Sequence, residues 1–112
     1  MSIRSMEDLM RAAKKLGVEE TRRESEDYLE LVISREKQDE LEEALQHYFG
    51  TPFKPAGIRP CETCDRVSSS YGGITTDQTL YFTNREELPN AALLWPWMDG
   101  KRVTVKIVQD CL

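Results

Sequence analysis

The chain has 112 residues, 39% hydrophobic and 31% charged, with 15 Lys and Arg against 20 Asp and Glu and a formal net charge of −5. That length bounds it to one domain, able to bury roughly two-thirds of its unfolded surface without a disulfide or a metal, and the composition excludes a disordered chain. The acidic balance argues against a general nucleic-acid binder, and with no apolar run behind Met1 and no stretch of membrane-span length the expectation is a cytoplasmic protein with neither nucleic-acid nor membrane partners.

Ser5 to Gly17 reads as a helix. Ser5 suits the N-cap, Glu7 and Asp8 sit where the helix dipole favours acids, and Gly17 suits the left-handed position past the end. Met6, Leu9, Met10, Ala13 and Leu16 recur at steps of three and four and form one apolar face. Residues 1–17 are therefore expected to act as an N-terminal docking helix, with Met6, Leu9, Met10 and Ala13 as an interaction surface toward the chain's own core or a partner. Residues 18–27 interleave opposite charges, which is the pattern of a solvated tether.

Tyr28 to Ser34 alternates Leu29, Leu31 and Ile33 against Tyr28, Glu30 and Val32, the period of a half-buried strand. Ser34 then caps a second helix whose apolar face is Leu41, Ala44, Leu45, Tyr48 and Phe49, closed by Gly50. Its other face carries Glu36, Glu40, Glu43 and the single histidine, His47. Thr51 to Asp77 holds three prolines, three glycines and three consecutive serines, and predicts a long central loop with Val67 to Tyr71 as a short edge strand. Loops of that length in compact domains are usually functional, stapled or unfolded.

Gln78 to Thr83 alternates again and predicts a strand, followed by a helical turn over Asn84 to Asn90 that stops before Pro89. Ala91 to Trp97 and Lys101 to Gln109 predict a β-hairpin. A three-residue loop of Met98, Asp99 and Gly100 would place Pro96 opposite Arg102, where a missing N–H breaks no ladder bond. That register puts Trp95 on the face of Val103, Val105 and Ile107. Trp97, beside the loop, is left as a candidate aromatic contact surface.

The fold expected from these elements is α+β, in the order α-β-α-β-β-β. Two main helices pack on one face of a small antiparallel or mixed sheet of about four strands. The first two strands, joined through a helix and a long loop, suit a right-handed crossover.

Chemistry concentrates at Cys61-Glu62-Thr63-Cys64. As a metal knuckle, the pair would lend two thiolates to one tetrahedral zinc, with Cys111 and His47 as the soft ligands available to complete it. As a redox pair it would cycle between dithiol and disulfide, a role that favours a first cysteine at a helix start. Ordinary loop thiols are the third reading. No catalytic set emerges from a chain with one histidine, so no catalytic residue and no certain cofactor are named. The leading expectation is a small binding or regulatory domain acting through a protein partner or a second copy of itself. The zinc or thiol-redox protein is the alternative, and an enzyme acting on a small molecule under the 51–77 loop is a further one.

Overall fold

In the computed structural model, which describes residues 3–84 and 88–112, the chain forms three α-helices and five strands. They run α1 (Met6–Lys14), β1 (Glu20–Glu24), β2 (Tyr28–Ser34), α2 (Gln38–Phe49), α3 (Glu62–Ser68), β3 (Thr79–Thr83), β4 (Asn90–Pro96) and β5 (Arg102–Val108). The fold is α+β, with one strand more than the four expected. Residues 85–87 of the helical turn expected over 84–90 lie outside the described residues, and Asn90 already belongs to β4. Among the described residues no helix is long and apolar enough to cross a membrane.

The sheet order is β1-β2-β5-β4-β3 and every neighbouring pair is antiparallel. β2 pairs with β5 and not with β3, so the expected parallel crossover is absent. The hairpins β1–β2 and β4–β5 are instead zipped together by β2 and β5. Cross-strand partners share a face, and this sorts the side chains into two layers. Leu29, Leu31 and Ile33 of β2 stand with Val103, Val105 and Ile107 of β5, Ala92 and Leu94 of β4 and Tyr81 of β3. α1 and α2 cover this face with Met6, Leu9, Met10, Ala13, Leu41, Leu45 and Tyr48, all buried. Fully burying a large aliphatic side chain is worth about 1.5–3 kcal/mol, against about 1 kcal/mol at most for an exposed ion pair such as Lys14–Glu24. The apolar stripe therefore decides where α1 sits. The face of α1 expected to offer a docking surface is the inner wall of the chain's own core.

The second face is covered too, which corrects the expectation of helices on one side only. Leu80, Ala91, Leu93 and Val108 of the sheet pack with Cys64 and Val67 of α3 and with Ile74 and Cys111. The 51–77 segment is thus a second layer containing a helix and a 3-10 turn, Ser69–Tyr71, where Val67 to Tyr71 had read as an edge strand. Ring packing of Phe53 on Phe82 and Tyr71 on Tyr28 holds its two ends to the sheet.

Residues 18–27 are not a tether. Glu20–Glu24 forms the edge strand β1, exposed at every position, with a register shift between Thr21 and Arg23. Its charges and its irregularity are the features by which natural sheet edges resist pairing with other chains.

The β4–β5 register also departs from expectation. Pro96 lies opposite Val103 and Trp95 opposite Thr104. Trp97 N–H donates to Arg102 O (2.9 Å), and Gly100 N–H closes a turn onto Trp97 O (3.1 Å). The loop is therefore four residues, 98–101, with Gly100 at φ +70°. Pro96 still occupies a non-hydrogen-bonded pair, as its missing N–H requires, because the longer loop shifts the pairing by one residue. The same shift turns Trp95 away from Val103 and onto the second face.

Trp95 packs there against Gly72, whose φ is +101°. A Cβ on Gly72 would lie 2.3 Å from the Trp95 ring. Gly72→Ala should lower unfolding stability by about 2–4 kcal/mol, from overpacking and the left-handed backbone together. Urea denaturation checks this; an unchanged midpoint would mean that the second layer is not closely packed.

Candidate functional site

α3 begins at Cys61. Pro60 favours an extended residue before it, and Cys61 itself is extended (φ −94°, ψ 176°). Its sulfur takes the N-cap role that an oxygen usually fills, accepting the Cys64 backbone N–H at 3.4 Å, while Asp65 N–H donates to Cys61 O at 3.1 Å. Glu62 and Asp65 lie in the first turn and Arg66 in the last, matching the helix dipole. One turn on, Cys64 and Val67 point into the sheet, and Ser68 Oγ–H donates to Cys64 O at 2.8 Å.

This geometry separates the two thiols chemically. Cys61 is exposed and Cys64 buried, both are free thiols, and their sulfurs lie 3.0 Å apart, against about 2.05 Å in a bond. The hydrogen bond from Cys64 and the backbone N–H at the helix start hold the Cys61 thiol below its ordinary range. Burial, with the Cys61 sulfur alongside, pushes the Cys64 thiol up. One proton between the two sulfurs is thus held preferentially on the buried one. The sequence predicts a loop at this point; the sulfur cap and the inward pair Cys64 and Val67 supply a helix start.

The segment ahead of α3 is fixed by a second buried group. Lys54 is 2% exposed. Its backbone bonds Leu80 of β3 in both directions at 3.0 Å, and its ammonium donates to Thr76 O at 2.8 Å and to Gln78 O. Lys106, inside β5, plays the corresponding part at the other end. Its ammonium donates to Tyr71 O at 2.7 Å and stands 3.5 Å above the Trp95 ring. Sequence reading missed both lysines. Lys106 left a trace, as a cation between Val105 and Ile107; Lys54, between Phe53 and Pro55, left none.

The proposed zinc set is not assembled. His47 is exposed on α2, across the sheet from Cys61 and Cys64 on α3. Cys111 is buried in the same cluster as Cys64, where burial pushes its thiol up to about 11. Among the described residues no three His, Cys, Asp or Glu side chains converge as a metal site requires. Trp97 is half-buried, its Nε1–H bonded to Thr104 Oγ1 at 2.8 Å. The guanidinium groups of Arg22 and Arg102 stand 5.6 and 5.5 Å from its ring centre, so its faces are already partnered within the chain.

The middle of the 51–77 segment lays Cys64, Val67 and Ile74 onto the sheet. At its end an open cavity of about 510 Å³ is lined by Arg23, Tyr28, Glu30, Tyr71, Gly72 and Lys106 among others. Within it Tyr28 O–H donates to Glu30 at 2.6 Å, and Lys106 is bound as described. The chain matches no family model, no curated protein and no solved structure.

Alkylation of the native protein with iodoacetamide, followed by mass spectrometry, should mark Cys61 first. Cys64 and Cys111 should stay unmodified until the chain unfolds. Because the thiolate is the reacting form, the Cys61 rate should rise with pH to a midpoint below the ordinary value of about 8.5. Equal labelling of all three cysteines would contradict the arrangement.

Proposed function

We propose that the protein is a thiol–disulfide exchange domain whose reactive pair is Cys61 and Cys64. The observation that carries this is the contact of 3.0 Å between an exposed and a buried sulfur, with the exposed one capping a helix. An accessible thiol of lowered pKa is the attacking group such chemistry needs, and a shielded thiol within reach is the resolving group.

The cycle balances without a further reactant. The Cys61 thiolate attacks one sulfur of a partner disulfide; that S–S bond breaks, a Cys61–partner bond forms, and the departing thiolate takes a proton from solvent. Cys64 then gives up its proton and attacks Cys61 Sγ, releasing the second partner thiol. The dithiol has lost two electrons and two protons, the partner disulfide has gained them, and the reverse sequence oxidises a partner dithiol.

A Cys61→Ser variant should lose exchange with a small aromatic disulfide by about a hundredfold or more, since at ambient pH the remaining thiols are largely protonated and shielded. Cys64→Ser should still attack and then stall as the mixed disulfide, visible by intact mass. The reading fails if the native protein, equilibrated with oxidised and reduced glutathione, forms no reversible intramolecular disulfide.

A further inference from the structure

One row of charged side chains crosses β1, β2 and β5. Arg23 lies opposite Glu30, and Glu30 opposite Lys106, so the three share a face with neighbours about 5 Å apart at Cβ. A row of alternating sign would ordinarily pair within itself. Here Glu30 is drawn away: one carboxylate oxygen accepts the Tyr28 O–H at 2.6 Å, and the other stands 4.0 Å from the Arg22 guanidinium. Arg23 and Lys106 are left with no carboxylate within ion-pair distance among the described residues.

Both cations line the open cavity of about 510 Å³ beside Tyr71 and Gly72. Lys106 is 8% exposed. Its ammonium donates to Tyr71 O at 2.7 Å and lies over the Trp95 ring. Those contacts orient the charge without neutralising it, and an ammonium has three N–H donors, so it can take a further acceptor. The Arg23 guanidinium lies 5.9 Å from the Tyr28 ring centre. Tyr28 and Tyr71, whose rings are near-parallel with centres 6.0 Å apart, give the cavity an aromatic wall. No cysteine lines it, so it is a second site apart from the thiol pair.

We infer that this cavity binds a small organic monocarboxylate with a flat apolar body, its carboxylate taken by Arg23 and Lys106 and its body laid along Tyr28 and Tyr71. A carboxylate matches the planar fork of a guanidinium and also accepts from an ammonium, and it supplies the counter-charge that the buried Lys106 lacks. Asp27 and Asp110 line the same cavity. They repel a second negative charge, which selects a monoanion over a di-acid or phosphate. The volume falls in the range of small-molecule pockets, about 300–1,000 Å³.

The test titrates benzoate into the full chain and follows the backbone amide NMR signals. Saturable shifts are expected at Ser70, Gly72, Lys106 and Gln109, with a millimolar Kd for so small a ligand. Benzamide has the same shape without the charge and should bind about tenfold more weakly, since hydrogen bonds to a charged group are the stronger ones. Arg23→Gln, at an exposed position on the edge strand, should weaken benzoate by about tenfold. Lys106→Met should weaken it at least as much; if that variant does not fold, Arg23→Gln decides alone. The inference is overturned by the absence of saturable shifts at the cavity, by benzamide binding as well as benzoate, or by unchanged affinity in Arg23→Gln. Tighter binding of inorganic phosphate than of benzoate would overturn it too, because the site would then select phosphoryl groups.

Discussion

The structure depends on the burial of β5 on both faces. β5 pairs with β2 on one side and β4 on the other, so it joins the two hairpins into one sheet. Val103, Val105 and Ile107 face one way, and Thr104, Lys106 and Val108 the other. A central antiparallel strand that is buried toward both sides needs a layer on each. α1 and α2 supply one. The second must come from elsewhere in the chain, and the stretch between α2 and β3 is what remains. Its length follows from the area it has to cover.

Where the sequence revealed the fold and where it did not divides along the same line. The helices α1 and α2 show period-3.6 apolar patterns because each buries one face and wets the other, while β2 and β3 keep a period-two alternation although both of their faces are covered. β1 shows no such pattern, since every residue of Glu20–Glu24 is exposed, and a strand that buries nothing reads as a charged tether. α3 is short, starts at a sulfur cap and buries three residues, Cys64, Val67 and Ser68, too few to register as a period. In the β4–β5 hairpin Pro96 takes the non-hydrogen-bonded pair that its missing N–H requires, but proline alone does not fix the loop length. A loop of four residues satisfied proline as well as one of three, and the choice turned Trp95 to the other face.

The candidate site was half legible. The spacing of Cys61 and Cys64 drew attention to the right stretch, but a spacing does not say which sulfur is wet, which is buried, or that a helix begins between them. Those properties come from tertiary packing: Cys64 and Val67 are drawn into the second layer, and that draws the helix start onto Cys61. The extra metal ligands were chosen by residue type, and the sheet places His47 and the cysteine pair on opposite sides. The anchoring lysines belong to no sequence pattern, because their partners are backbone carbonyls far away in the chain.

The closeness of the two cysteines in sequence has an entropic consequence. Joining Cys61 to Cys64 would close a ring of four residues, and the chain-entropy relation assigns such a ring about 2 kcal/mol of restriction on the unfolded state, against about 4.7 kcal/mol for a ring of a hundred. The bond would thus do little to hold the 51–77 segment in place, a task already met by Lys54, Lys106 and the ring contacts of Phe53 and Tyr71. Oxidation of the pair would change the depth of the folded state by less than half of what a long-range bond gives. The scaffold would outlast many turnovers because its integrity is vested in groups that take no part in the electron exchange.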